Sequence, residues 1–412
     1  MAEQLPTTEF DDIPDELLEE LEALSHDRTE GHVNMVQLLD EEGQFHNGSH
    51  FSERARRLTS EELRGLYRDM ALIRRFDAEA TALQRQGQLA LWVPVRGQEA
   101  AQIGSGRASQ PQDYLFPTYR EHGVALTRGV ELGELLRQFR GVSNGGWDPR
   151  ETNFHLYTLV LAAQVPHAVG YAMGIQRDAV RAAAAGRDPG EQTAPQAAVV
   201  AYFGDGASSE GDIHESMVFA ASFKAPVVFF CQNNQWAISV PTQVQSRIPL
   251  HNRAKGYGFP GLRVDGNDVL AVRAVTEWAL ERARTGKGPV LIEAYTYRLG
   301  AHTTADDPTK YRLSEEEQDW VAKDPVTRFE KFLRAEGHAD DAFFAEVAAQ
   351  GDAFAAKSRR DVLAFEPPSL AEAMGHVYAE RHPLVDEEIA WHLKYESGFA
   401  DAEGSTTSEG GH

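Results

Sequence analysis

Two uninterrupted apolar runs, AAVVAYF at 197–203 and VVFFC at 227–231, constrain the fold of this chain more than any other feature. Neither alternates with polar residues, and a strand that is apolar on both sides needs cover on both faces, as in a parallel sheet between layers of helix. The stretch between them supplies the crossover. Gly204-Asp205-Gly206 stops the first run; Glu210 and Asp212 then open a segment, 208–223, in which Ile213, Met217, Ala220 and Ala221 recur at helical spacing, and Pro226 closes it. A βαβ unit closes right-handed and brings the carboxyl ends of its strands to one sheet edge, so Asp205 and Asn234 converge across 28 intervening residues. A further helix is expected over 272–284 and a further buried strand over 289–297, and the expected fold class is α/β, a doubly wound, mostly parallel sheet flanked by helices.

That edge carries metal and anion chemistry. Magnesium takes hard oxygen ligands and shares its shell with substrate phosphate, which Asp205 and Asn234 suit, while N–H groups at the start of the helix after Gly206 suit a diphosphate. The pattern GDG, 26 residues, then NN resembles the thiamine-diphosphate signature of the transketolase-like superfamily. The resemblance implies Mg2+ held by Asp205, Asn234 and the backbone carbonyl of Trp236, with Gly206 and Ala207 beside the diphosphate of the thiamine cofactor.

Other segments extend it in order. Thr59 and Glu62 predict a capping box opening a helix through Leu63, Leu66, Tyr67, Met70, Ile73, Ala80 and Leu83, ended by Gly87. LYRDMALIRRFDAEATALQRQG at 66–87, DYLFPTYREHG at 113–123 and YRLGAHTTADDPT at 297–309 resemble the alpha subunit of the thiamine-diphosphate-dependent decarboxylase component of 2-oxo acid dehydrogenase complexes. In that family the Tyr-Arg pair, here Tyr119 and Arg120, orients diphosphate oxygens, as a guanidinium fork suits them. Leu161 matches the residue supporting the cofactor's bent shape, and His302 a diphosphate ligand that takes part in acyl transfer. Thr303 stands where animal relatives carry a phosphorylated serine. Some relatives bind potassium near Gln164 and Thr158, but Ala163 replaces a threonine of that site. Gln232 stands where several relatives place Arg or Glu, which leaves phosphate neutralisation to Arg120, His302 and the metal.

The resemblance implies oxidative decarboxylation of a small 2-oxo acid, branched-chain or alternatively pyruvate, with acyl transfer to a lipoyl-bearing dihydrolipoyl acyltransferase. The glutamate that activates the cofactor in that family lies on a separate beta subunit, so an α2β2 heterotetramer is expected and this chain alone is expected to be inactive. A noncatalytic scaffold subunit is the reading from outside the enzyme class. A nicotinamide dehydrogenase is not indicated, because GSGRAS near Gly104 lacks the strand before it that such a fingerprint needs.

Charge and composition bound the partners. Of the net charge of −23, ten acids with no base lie in 1–27 and four in 395–412, leaving −9 between. Such acidity argues against nucleic acid, and no apolar run is long enough to span a membrane. DELLEELEAL at 15–24 reads either as an amphipathic helix for a partner or as a solvated one. The expected division is an acidic extension at 1–57, a cofactor-binding domain at 58–385 with C-terminal helices, and an acidic, partly disordered tail at 386–412. Cys231, the single cysteine, falls in a buried strand, and a cytoplasmic setting is expected.

Overall fold

The computed structural model describes residues 35–143, 145–185 and 197–399, so the helix expected at 15–24 and the last residues of the tail lie outside them. Thr59 and Glu62 form the capping box, each side chain accepting the other's backbone N–H, and open helix α1 (Ser60–Arg85), whose Leu63, Leu66, Tyr67, Met70, Ile73, Ala80 and Leu83 are buried. Gly87 follows at φ +72°, a conformation that favours glycine. Next come α2 (Glu99–Ala108), β1 (Tyr114–Phe116), α3 (His122–Thr127), α4 (Gln164–Ala184) and β2 (Val199–Gly204). After them lie α5 (Gly211–Phe223), β3 (Val227–Asn233), the short pair β4 (Trp236–Ala237) and β5 (Val240–Pro241), β6 (Gly261–Asp265), α6 (Val269–Arg284), β7 (Val290–Tyr295) and, near the end, α7 (Pro383–Ser397).

Five strands form one sheet in the order β1-β2-β3-β7-β6, and every neighbouring pair is parallel. Alternate residues of the apolar runs serve opposite layers. Val200, Tyr202, Val228 and Phe230 pack with α1, α2 and α6, whereas Val199, Ala201, Phe203, Val227, Phe229 and Cys231 pack with α4 and α5. The absence of polar alternation therefore records a sheet covered on both faces. Cys231 is one of these core groups, and burial raises its thiol pKa well above the usual value.

Three elements begin or end differently from expectation. The helix expected from 208 begins at Gly211, because Ser208 and Ser209 bond back three residues, to the carbonyls of Asp205 and Gly206 at 3.2 Å each, and make a 3₁₀ turn, Ala207–Ser209. The helix expected from 272 starts at Val269, since the Asp268 carboxylate accepts the N–H groups of Leu270 and Ala271. The strand expected over 289–297 ends at Tyr295. Beyond it the chain still follows β3, with the N–H of Thr296 on the Asn233 carbonyl at 2.9 Å and that of Arg298 on the Asn234 carbonyl at 3.2 Å.

The chain before residue 57 shares the main core through Val36, Leu38, Leu39 and Phe51. Val36 pairs in parallel with Val264, and Asp268 also accepts the N–H groups of Leu38 and Leu39, at 2.6 Å each. At the other end α7 runs across the division expected at 385, with Trp391 61% and Tyr395 56% exposed.

Candidate functional site

Register brings the site together. Gly204 pairs with Gln232 across β2 and β3, so the residues that follow them, Asp205 and the Asn pair, leave the sheet side by side at its carboxyl edge. Thr242 ties the two loops together, its hydroxyl lying 3.0 Å from Asp205 Oδ2 and 3.1 Å from Asn233 Oδ1. From the same edge β7 sends out the segment that carries Arg298 and His302. Between these loops lies a cavity of about 270 Å³, lined by Tyr119, Arg120, Leu161, Asp205, Gly206, Ala207, Asn234, Trp236 and His302 among others. Every site residue expected from the sequence thus borders one cavity. Leu161 is the most open of them, 47% exposed at the rim.

Charge on the cavity walls is set by burial. Asp205 is buried, and among the described residues its carboxylate is bonded by the Thr242 hydroxyl and, at 3.3 Å, the Gln245 amide but by no cation; burial pushes its carboxyl up to about 6. Arg120 is buried too. It donates to the Pro94 carbonyl, to the His302 carbonyl at 3.0 Å and to His302 Nδ1 at 3.3 Å. A guanidinium only donates, so Nδ1 accepts and the ring hydrogen sits on Nε2. Burial first, then Arg120 and Arg298, drive His302 down to about 3, so the imidazole is neutral. The N–H groups of Gly206 and Ala207 donate to no atom of the described residues.

Against known proteins, the family described as "Dehydrogenase E1 component" matches residues 67–355, well over half of the chain. The chain belongs to the dehydrogenase E1 component family. It is 44% identical over 329 residues, 80% of its length and 86% of the relative's, to the 3-methyl-2-oxobutanoate dehydrogenase subunit alpha of Mycobacterium tuberculosis. Its identity is 39% over 311 residues, 75% and 79% of the two lengths, with the pyruvate dehydrogenase E1 component subunit alpha of Staphylococcus aureus. The protein of that name from Acholeplasma laidlawii shares 38% over 350 residues, 83% and 96% of the two lengths. The sheet is the α/β fold of this thiamine-diphosphate-dependent family, and the chain is of the alpha-subunit type.

Within this E1 alpha chain several site residues escape sequence reading. Arg298 is fully buried and donates to the Trp236 carbonyl at 2.9 Å, the Ile238 carbonyl at 2.7 Å and the Tyr311 hydroxyl at 2.8 Å. Tyr311 in turn donates to Asp306, which accepts the His302 N–H at 2.9 Å, so one chain of bonds joins the Trp236 loop to the His302 loop. Glu121, buried and raised by that burial, accepts from the Gln232 amide. That contact explains the amide at 232, because a second carboxylate there would face Glu121. Arg298 and Glu121 both stood inside quoted segments. Nothing in their local spacing separates them from neighbours, and their partners are loops distant in sequence.

His122, next in sequence to Glu121, makes an acid-sensitive contact in the main core. It stacks on Trp92 with ring centroids 4.4 Å apart and bonds the Tyr157 hydroxyl at 2.7 Å and the Val93 carbonyl at 2.9 Å. Burial takes it from 6.5 to about 3. The unfolded chain therefore binds the proton more readily. The stability that neutral His122 confers is complete above about 6.5 and falls as pH drops below it, by up to about 1.4 kcal/mol per unit. His122→Gln should flatten the acid limb of a denaturation-versus-pH curve by that slope; an unchanged limb refutes the assignment.

Proposed function

We propose that this chain is the alpha subunit of a branched-chain 2-oxo acid dehydrogenase. It binds Mg2+ and thiamine diphosphate at the sheet edge and works in the cytoplasm with a separate beta subunit and a lipoyl-bearing acyltransferase. The observation that carries the reading is one cavity bordered by a buried carboxylate and backbone N–H groups that find no cation and no acceptor among the described residues, together with an amide side chain, a backbone carbonyl and the buried guanidinium of Arg120. Each half lacks what the other half of a metal diphosphate supplies.

The donor set suits the group. Asp205, Asn234 and the Trp236 carbonyl give the hard oxygens that Mg2+ takes. The carbonyl keeps a second lone pair beside its bond from Arg298. Tyr119, Arg120, Gly206, Ala207 and His302 face the diphosphate as donors, with Leu161 against the rings. The bound cofactor supplies the carbanion chemistry, and the protein supplies orientation and charge. His302, neutral with its hydrogen on Nε2, would donate a hydrogen bond to an anionic oxygen of the cofactor, and that anion would raise its pKa and so favour the proton uptake that an acid–base role in acyl transfer needs.

A partner is supported by the cavity mouth. Val160, Leu161, Ile238 and Val240 ring it at 71%, 47%, 55% and 40% exposure, an apolar rim of the kind that a second chain covers. The name of the Mycobacterium tuberculosis relative specifies a branched-chain 2-oxo acid and supports that substrate, whereas the Staphylococcus aureus and Acholeplasma laidlawii relatives carry the pyruvate name.

Carbon dioxide release by the chain, alone and co-purified with its beta subunit, from 3-methyl-2-oxobutanoate and from pyruvate tests each part. The assembled pair should need Mg2+ and thiamine diphosphate and should favour the branched acid at least about tenfold, roughly the discrimination one or two methylenes give. Faster pyruvate turnover overturns the substrate assignment, and turnover by the chain alone overturns the division of labour.

A further inference from the structure

Gln98 borders the same cavity yet belongs to none of the motifs assigned above. It is fully buried and sits at the cap position before α2, with φ −114° and ψ 9°. Its backbone is held firmly. Gly97 has φ +95°, and a Cβ there would lie 2.3 Å from the Tyr297 carbonyl oxygen, so only glycine passes. The Gly97 carbonyl accepts the Thr296 hydroxyl at 2.7 Å, and its N–H goes to Glu99 at 2.8 Å.

The amide orientations follow from a group whose role is unambiguous. The Trp236 N–H is only a donor and lies 3.3 Å from the Asn234 side chain, so Oδ1 faces it. Nδ2 of Asn234 then faces Gln98 at 3.2 Å and requires Oε1 there. That leaves Gln98 Nε2 turned away from Asn234, buried and without a partner among the described residues. A buried donor lacking an acceptor is costly, and such groups mark places where a ligand completes the bonding.

We propose that Gln98 is a positioning residue of the metal-diphosphate site. Its Oε1 holds Asn234 so that the amide oxygen meets the cation, and its Nε2 donates to an oxygen of the bound diphosphate. This rests on the reading of the site given above and adds a protein donor that neither the metal triad nor the Tyr119–Arg120 pair supplies.

The test uses the full chain assembled with its beta subunit, with Mn2+ replacing Mg2+ for paramagnetic resonance and calorimetry for thiamine diphosphate. Gln98→Met, close in shape but apolar, should weaken Mn2+ and thiamine diphosphate by about tenfold or more each, the size of one bond to a charged group. Gln98→Glu keeps an acceptor for Asn234 but has no donor above neutral pH. It should recover Mn2+ affinity to within about threefold while thiamine diphosphate stays about tenfold weak, a split that a general packing defect would not give. If Gln98→Met fails to assemble, Gln98→Glu alone decides. Unchanged affinities in either variant, or equal loss of both ligands in Gln98→Glu, overturn the proposal. Asp205→Ala is measured in parallel: if it binds normally, the metal reading itself fails, whereas lost binding there with normal binding in Gln98→Met removes only the role of Gln98.

Discussion

Asp205→Asn should abolish Mg2+-dependent thiamine diphosphate binding in the assembled complex and at the same time stabilise the cofactor-free protein. The two effects have one cause. Asp205 is a buried carboxylate whose bonded partners are a hydroxyl and an amide, and burial raises it to about 6. Above that pH the folded protein carries an ionised group with no bonded counter-charge among the described residues, a state that a bound cation relieves. The sign follows from linkage. The folded pKa exceeds the unfolded value, so the penalty is present above about 6, shrinks as pH falls, and is gone below 3.8. A neutral amide of similar shape removes a penalty on the order of 3 kcal/mol at pH 8 and little of it at pH 4. Denaturation of the cofactor-free chain at both pH values reads the first effect, and calorimetry with Mg2+ and thiamine diphosphate reads the second. Turnover should fall by at least about a thousandfold, the scale of losing a metal that orients and neutralises a reacting group. Intact binding in this variant would remove Asp205 from the metal site.

Arg120→Met should cost at least about a hundredfold in thiamine diphosphate affinity, because a buried guanidinium facing a diphosphate contributes more than one charge-assisted bond. A second readout separates this from a packing defect. Arg120 Nη2 points at His302 Nδ1 from 3.3 Å and is, after burial, the largest influence holding that imidazole down. Removing the cation should raise the His302 pKa, which is measurable by NMR of labelled histidine. Arg120→Lys should restore the charge near His302 but only part of the affinity, since an ammonium lacks the planar fork that reaches both the His302 carbonyl and a phosphate. An unmoved His302 titration together with normal cofactor affinity would take Arg120 out of the site.

How much of this was legible in the sequence differs by kind of residue. The capping box at Thr59 and Glu62 and the apolar stripe after it depend on neighbours three or four positions away, and both stand as read. The strands at 199–204 and 227–233 show in their unbroken apolarity. Helix starts were less legible. Ser208 and Ser209 look like helix N-terminal residues, yet their N–H groups bond three residues back, and the tighter turn delays the helix to Gly211. Period alone does not distinguish those two pitches over a single turn.

What the sequence by itself determined is therefore the layered α/β sheet and the residues that leave its carboxyl edge: Asp205, Asn234 and Trp236 after two strands, His302 after a third, and the Tyr119–Arg120 pair. Apolar continuity and strand ends are local properties, and a parallel crossover carries them to one edge whatever the rest of the chain does. Only the tertiary structure decided how those groups are held. Gln98 and Asn234, 136 residues apart, orient one another's amides; Arg298 grips the Trp236 carbonyl from 62 residues away; and the Gln232 amide satisfies Glu121 across 111. A hydrogen bond depends on direction and on sub-ångström distance between groups that composition and spacing leave unrelated until the loops meet. Whether a buried carboxyl is charged depends on that meeting as well.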